Sequence, residues 1–252
     1  DLRMFRDRNF AMGTVFIFIV SVTVFAALAL LPPFLQSLMG YSVMDSGILI
    51  APRGVAAMIS MISAGMLMRW IDARVLVFAG LLISAYSQYM MWGFDLEMNS
   101  TPVVLSGLVG GVGLGLVFVP ISALTFTTLN ARFRTEATSF FALSRNFGQS
   151  MGIALVSAVL TNMVQVNQTV LGSHLTATSP EVAKQLPAIL TGNQEWLAVA
   201  QLLVQQQAAM VSYLDDFVLM TWVTLAAIPI VFLLRGAKAA PAGSTGAHVA
   251  LD

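Results

Sequence analysis

Charge is scarce in this sequence: of its 252 residues only 10% are Asp, Glu, Lys or Arg, while 58% are hydrophobic. A soluble domain carries roughly 25% charged residues, because charge keeps a folded surface in water, so much of this chain's outside must face lipid. An excess of either sign is missing too: 12 basic and 12 acidic residues cancel, which argues against a nucleic-acid partner. Cysteine is absent, excluding a disulfide framework and thiol chemistry. Histidine is reduced to His174 and His248, far apart in polar segments without metal-ligand spacing. With no nucleophile–base pair, metal cluster or phosphate-binding loop in view, neither an enzyme nor a bound cofactor or metal is expected. An initiating methionine is lacking as well. Asp1 opens the chain and no signal peptide precedes the first apolar run, so the sequence reads as a piece of something longer.

What is there is a set of long apolar runs. A membrane-crossing helix needs about 20 mostly apolar residues to span a core of about 30 Å. Phe10 to Leu31, Val75 to Phe94, Pro102 to Leu129 and Phe217 to Leu234 are charge-free, while Ser46 to Met68 carries only Arg53 and Ala137 to Val164 only Arg145. Backbone groups in lipid must be satisfied within the segment or in a closed barrel, and these runs lack the alternation of barrel strands. The expected fold is therefore an all-α membrane protein of six transmembrane helices. The positive-inside rule checks the count. With the N-terminus in the cytoplasm, the inner segments hold Arg3, Arg6, Arg8, Arg69, Arg74, Arg132, Arg134, Arg235 and Lys238, nine of the 12 basic residues, and the outer ones only Lys184. Both ends are thus expected inside. The expected organisation is a cytoplasmic segment 1–9, helices one to five over 10–164, a long periplasmic loop 165–216, helix six over 217–235 and a disordered tail 236–252. Within the loop, Glu195 to Tyr213 spaces Trp196, Val199, Leu203 and Met210 for one face of an amphipathic helix running into the last span. It is either a solvated helix or a docking surface for another protein.

Polar residues inside spans stand out against this background. Arg145 lies roughly 13 Å into the membrane, counted from Glu136 at 1.5 Å per residue, where an arginine costs about 2.5–3.5 kcal/mol on the lenient insertion scale. With Asn146 beside it and Gln149 one turn on, it forms a polar stripe that serves either a wet cavity or gate, or bonding to carbonyls of a neighbouring helix. Arg53 follows Pro52, which loosens its helix, and could snorkel outward. Gly107, Gly111 and Gly115, four apart, let helix backbones approach closely; Pro120 adds flexibility, and Gly148 and Gly152 repeat the theme in span five. No acidic residue is placed in a span on this reading; Asp45 and Glu136 mark ends and the rest fall in loops or tails. A proton-coupled machine needs a titrating group in the membrane, and none is obvious here.

The stretch Gly65-Met-Leu-Met-Arg69-Trp-Ile-Asp72-Ala-Arg74 resembles the second copy of the major facilitator signature loop, G-x-L-x-(D/R)-x-x-(D/G)-x-R. SRNFGQSMGIA from Ser144 to Ala154 is similar to the arginine-containing helix of the 14-span drug:proton antiporters of the EmrB/QacA type, as are LPPFLQ at Leu31 to Gln36, GILIAPRG at Gly47 to Gly54, DLRMFRDRNF at the start and the Gln-rich outer loop. The resemblance implies the C-terminal half of the major facilitator fold, a 3+3 inverted repeat with substrate held between two halves near the midplane. It puts Gln36, Arg53, Arg145, Asn146 and Gln149 toward a cavity or gate, and makes Gly65, Arg69, Asp72 and Arg74 a cytoplasmic loop whose charge pairs latch one state. Arg69 stands where the better-known copy has an acidic residue.

The expectation is half of a proton-coupled multidrug efflux transporter in the bacterial inner membrane, exporting lipophilic compounds, with the proton gradient as energy source. The proton carrier is then expected in the other half. The resemblance also implies a periplasmic adaptor protein and an outer-membrane channel as partners, beside lipid. Other readings are a non-transporting scaffold that docks a partner through the outer loop, or an exporter of a siderophore, fatty acid or metabolite. The 15 methionines suit a tolerant cavity and lipid-facing helices equally well.

Overall fold

The structure, a computed structural model, describes residues 2–174 and 194–232. After a short 3-10 turn at Leu2–Arg6, six long helices follow: α1 (Arg8–Pro33), α2 (Val43–Leu67), α3 (Ala73–Trp92), α4 (Thr101–Phe126), α5 (Arg134–His174) and α6 (Gln194–Val231). All six contain stretches long and apolar enough to cross a membrane. The tail 236–252, part of the outer loop, and Lys184, Arg235 and Lys238 lie outside the described residues. The end of the bundle holding Arg8, the α2–α3 turn and Val231 is called the near end, the opposite one the far end.

Local chemistry explains where the helices start and stop. Asp7 caps α1, accepting from the backbone N–H of Asn9 at 2.9 Å and of Phe10 at 3.1 Å, which satisfies donors that a helix start leaves orphaned. The same carboxylate accepts from Thr128 Oγ1 at 2.8 Å, tying α1 to the end of α4. At the far end, Pro32 and Pro33 remove two helical donors, and the chain continues as a π-helical turn, Phe34–Leu38. Gly40 then stops it at a φ of +73°, a conformation a side chain would disfavour. Ser42 opens α2 with a reciprocal pair: Asp45 N–H donates to its Oγ at 3.1 Å and its hydroxyl donates to the Asp45 carboxylate at 2.7 Å.

The packing has an internal symmetry. α2 lies on α4 as α5 lies on α1, α3 packs on α4 as α6 packs on α1, and α1–α4 and α3–α6 are the central pairs; the α5–α6 contact is the exception, with no counterpart of like size between α2 and α3. This is the contact pattern of two three-helix units inserted with opposite sense, as expected of a 3+3 repeat. It leaves α2 and α5 as flanks: only 22% and 17% of their most apolar stretches are buried, against 61% for α1.

The small residues make these contacts possible. A Cβ on Gly115 would stand 2.6 Å from the backbone nitrogen of Met61, and one on Gly111 would run into the Arg53 carbonyl oxygen. Ser60 fastens the same contact by donating to the Val112 carbonyl at 2.6 Å. On the symmetry-related pair, a Cβ on Gly148 would meet the Phe18 carbonyl oxygen at 2.5 Å and one on Gly152 that of Val22. The glycines of α4 serve two neighbours, since Gly110 and Gly113 face α3, against Ser87 and Ser84.

The last two helices exceed the bilayer. α5 has 41 residues and α6 has 38, so at 1.5 Å per residue each runs to about 60 Å, twice the hydrocarbon thickness of about 30 Å. The segment Glu195 to Tyr213 is helical and continues into the last span without a break. Asn167 Nδ2 donates to Ser212 Oγ at 3.0 Å and joins the two helices beyond their middle.

Candidate functional site

The two arginines inside spans occupy related places. Arg53 lies ten residues after the start of α2 and Arg145 eleven after that of α5, so each is about 15 Å from its end of the bundle. Their surroundings differ. Arg145 and Asn146 are exposed, Gln149 is half-buried, and all three sit on the flank that α1 and α6 leave uncovered. Arg145 makes no hydrogen bond to any described residue, so it does not act as glue between the helices of this unit. Leu143, Phe147, Met151 and Leu155 are exposed around it. An arginine at mid-depth on an uncovered apolar flank needs polar company from outside the six helices.

Arg53 is placed otherwise than expected. It neither snorkels to the far end nor reaches an open face: it is only 6% exposed. Its stem and guanidinium lie along the glycine face of α4: a Cβ on Gly107 would stand 3.5 Å from the Arg53 Cβ and one on Gly110 3.4 Å from its Cζ. Nε and one terminal nitrogen have no hydrogen-bond partner. Ser87 and Ser106 stand nearby but are engaged with each other, the Ser87 hydroxyl donating to the Ser106 carbonyl at 2.8 Å. The physical reason is the glycine face of α4, which offers a long side chain room inside the bundle. Gln36, on the π-helical turn, is a clasp: its Nε2 donates to Ser46 Oγ at 3.0 Å, tying the turn to α2.

The near-end loop is a tight turn. Trp70 and Ile71 donate to the Leu67 carbonyl at 2.9 and 2.8 Å. Gly65, Arg69 and Asp72 are exposed, and a Cβ on Gly65 would meet nothing within 4 Å. Asp72 caps α3 by accepting from the Arg74 backbone N–H at 3.0 Å, while Arg74 Nε is buried without a partner. Pro120 is buried in α4 and the helix runs through it.

Matching against family models decides what this bundle is: residues 2–153 match the Major Facilitator Superfamily. The chain belongs to that superfamily. The all-helical fold with its 3+3 contact pattern is accordingly a major facilitator half, in a multi-pass membrane protein of a transporter family rather than an enzyme family. Among curated relatives, a multidrug resistance protein B homolog of Mycobacterium tuberculosis is 28% identical over 72% of this chain and 34% of its own length. The multidrug export protein EmrB of Escherichia coli is 23% identical over 98% of this chain and 49% of its own length. The fatty acid resistance protein FarB of Neisseria gonorrhoeae is 26% identical over 93% and 47%. The chain spans about a third to a half of the length of these relatives.

One residue of this major facilitator half corrects the sequence reading. Asp216, assigned above to the end of the outer loop, is inside α6 and fully buried. An acidic residue is therefore buried in a helix long and apolar enough to span, contrary to the expectation that none is. The signal was available: continuing the helical period of Glu195 to Tyr213 past its polar end puts Ser212, Asp216, Met220 and Thr224 on one face, and all four are buried.

Proposed function

We propose that this chain is the C-terminal half of a proton-coupled multidrug efflux transporter that works by alternating access. The observation that carries the reading is the uncovered flank of α5 with Arg145, Asn146 and Gln149 at mid-depth. A second half covering it would turn an unsupported arginine into the wall of a polar cavity between halves. Relatives named for multidrug export and resistance support drug efflux as the activity, with lipophilic compounds as cargo and the proton gradient as the energy source. In everted vesicles carrying the full-length protein, an imposed proton gradient is expected to drive accumulation of a lipophilic dye, and a protonophore to abolish it. Uptake that ignores the protonophore would overturn the coupling.

The same reading puts the near end in the cytoplasm of a bacterial inner membrane, following the basic residues that gather there. Cysteine is absent from this chain, so a thiol introduced here is the one reporter it carries. Trp70→Cys, in the exposed near-end turn, should react with a membrane-impermeant maleimide only after cells are opened. Labelling of intact cells would reverse the orientation. The far-end hairpin of α5 and α6 is the place where a periplasmic adaptor leading to an outer-membrane channel would dock.

A second reading of the cargo is favoured by the charge itself. The uncovered mid-depth group is a cation, which suits a lipophilic acid better than a lipophilic cation, and one relative is named for fatty acid resistance. Competition of dye uptake by a long-chain carboxylate, and not by its methyl ester, would favour it.

A further inference from the structure

Asp216 is a carboxyl group that nothing in the bundle uses. It has no exposed surface, and neither oxygen has a hydrogen-bond partner. The polar groups along the same face of α6 are satisfied: Ser212 accepts from Asn167 and donates to the Ala208 carbonyl, and the Thr224 hydroxyl shares its one proton between Gln88 Oε1, at 3.0 Å, and the Met220 carbonyl. The aromatic residues on either side of it pack against the end of α1. Phe34, on the π-helical turn, contacts Tyr213 at 5.4 Å and Phe217 at 6.3 Å between centroids, the two aromatic residues that bracket Asp216 on α6, and stacks on Phe94 at 5.6 Å.

No cation faces this group among the described residues. The elements packed against α6 are α1 with its π-helical turn, α3 and α5. From Asn9 to Leu38, and from Asn146 to Ser173, the sequence holds no titratable or charged side chain. The far half of α3 offers only Tyr86 and Tyr89, both exposed, and beyond it come exposed Asp95 and Glu97 and half-buried Tyr41. α6 itself supplies buried Tyr213 and exposed Asp215. An ionised carboxylate fully buried without a partner is strongly disfavoured, and the group relieves this by taking up a proton. Zero exposure leaves no room for a drug-sized ligand or a hydrated metal ion, so the proton is the one ion that fits the closed site.

The turn packed there is also irregular. The turn carrying Phe34 follows two consecutive prolines, has π-helical rather than α-helical bonding, and ends at left-handed Gly40; π-turns mark functional sites often enough to matter. Beside it, an open cleft of about 630 Å³ between α5 and α6 is lined by Ser37, Leu38, Val164, Gln205 and Tyr213. Its wall thus reaches to within one helical turn of Asp216.

We propose that Asp216 is a proton-carrying group that gates the far end: its carboxyl must be protonated for the π-helical end of α1 to close over it. When the turn lifts, the O–H bond breaks, the proton passes to water in the cleft, and the carboxylate stays hydrated until a proton from the far side returns. This rests on the proton-coupled reading above and gives this half a coupling group of its own.

The test uses the full-length protein with spin labels on Ser37→Cys, in the π-helical turn, and Gln205→Cys, on α6, both lining the cleft. The wild-type background should show a pH-dependent label distance, short at low pH and long at high pH. Asp216→Asn, neutral and nearly isosteric, should hold the short distance at every pH, and Asp216→Glu should restore the response with a shifted midpoint. Gradient-driven dye efflux should fall at least about tenfold in Asp216→Asn while dye binding persists. A distance that ignores pH in the wild-type background, or one that still responds in Asp216→Asn, would overturn the proposal. If the unmutated protein shows no gradient-driven efflux, the transport reading fails, and the distance measurement still decides the role of Asp216.

Discussion

Gly115→Ala is expected to lower the thermal midpoint of the detergent-solubilised full-length protein by several degrees, and Gly115→Leu to abolish the monodisperse peak on size exclusion. The reason is where the new atom goes. A Cβ at Gly115 would lie 2.6 Å from both the Met61 backbone nitrogen and the Ser60 Cβ, well inside ordinary contact. Backbone cannot swing aside as a long side chain can, and an interior packed at crystal-like density transmits the displacement. Inserting one carbon into such a contact costs about 1–3 kcal/mol, against a gain of roughly 0.5–1 kcal/mol from replacing a helical glycine by alanine. The clash wins. Gly65→Ala provides the opposite sign: a Cβ there meets nothing within 4 Å, so only the helical gain remains and stability should hold or rise slightly. If the two variants shift the midpoint equally, close approach of α2 to α4 is not what the glycine supplies.

The contrast between those two positions shows what the sequence could convey. Six spans were legible because length and hydropathy are one-dimensional properties: each run shares most of its length with one helix, three of them running one to three residues past its end and the last ending beyond Val231. The polar stripe of Arg145 and Gln149 was legible too, as one-turn spacing on an apolar helix. Which neighbour each glycine faces was not. Gly107, Gly111 and Gly115 read as one stripe, while the structure adds Gly110 and Gly113 against a second helix, and that division exists only once α3 and α2 have docked on opposite sides of α4. Arg53 was misplaced for the same reason: the room that receives it belongs to α4, 54 residues further on at Gly107. Asp216 was missed differently. A hydropathy window ends a span at its last apolar residue, whereas helical bonding ignores polarity and carries α6 through the aspartate.

The largest effect on transport is expected at Arg145, where Arg145→Ala should reduce gradient-driven efflux by about 10–100-fold, the equivalent of losing one hydrogen bond to a charged group worth about 1.5–3 kcal/mol, and Arg145→Lys should retain part of it. Stability separates the possible reasons. An arginine that glued helices together would leave unpaired carbonyls when removed, and the thermal midpoint would fall. Here the side chain is exposed and bonded to no described residue, so truncation removes an insertion cost of about 2.5–3.5 kcal/mol and breaks nothing within the six helices. The midpoint of Arg145→Ala should therefore match or exceed that of the parent while efflux collapses. Phe147, two residues along and 65% exposed on the same helix, supplies the comparison: Phe147→Ala removes apolar area without charge and should weaken the contact with whatever covers the flank. A fall in midpoint for Arg145→Ala with efflux per folded molecule unchanged would make the arginine a structural element, and the cavity between halves would have to be sought on another face.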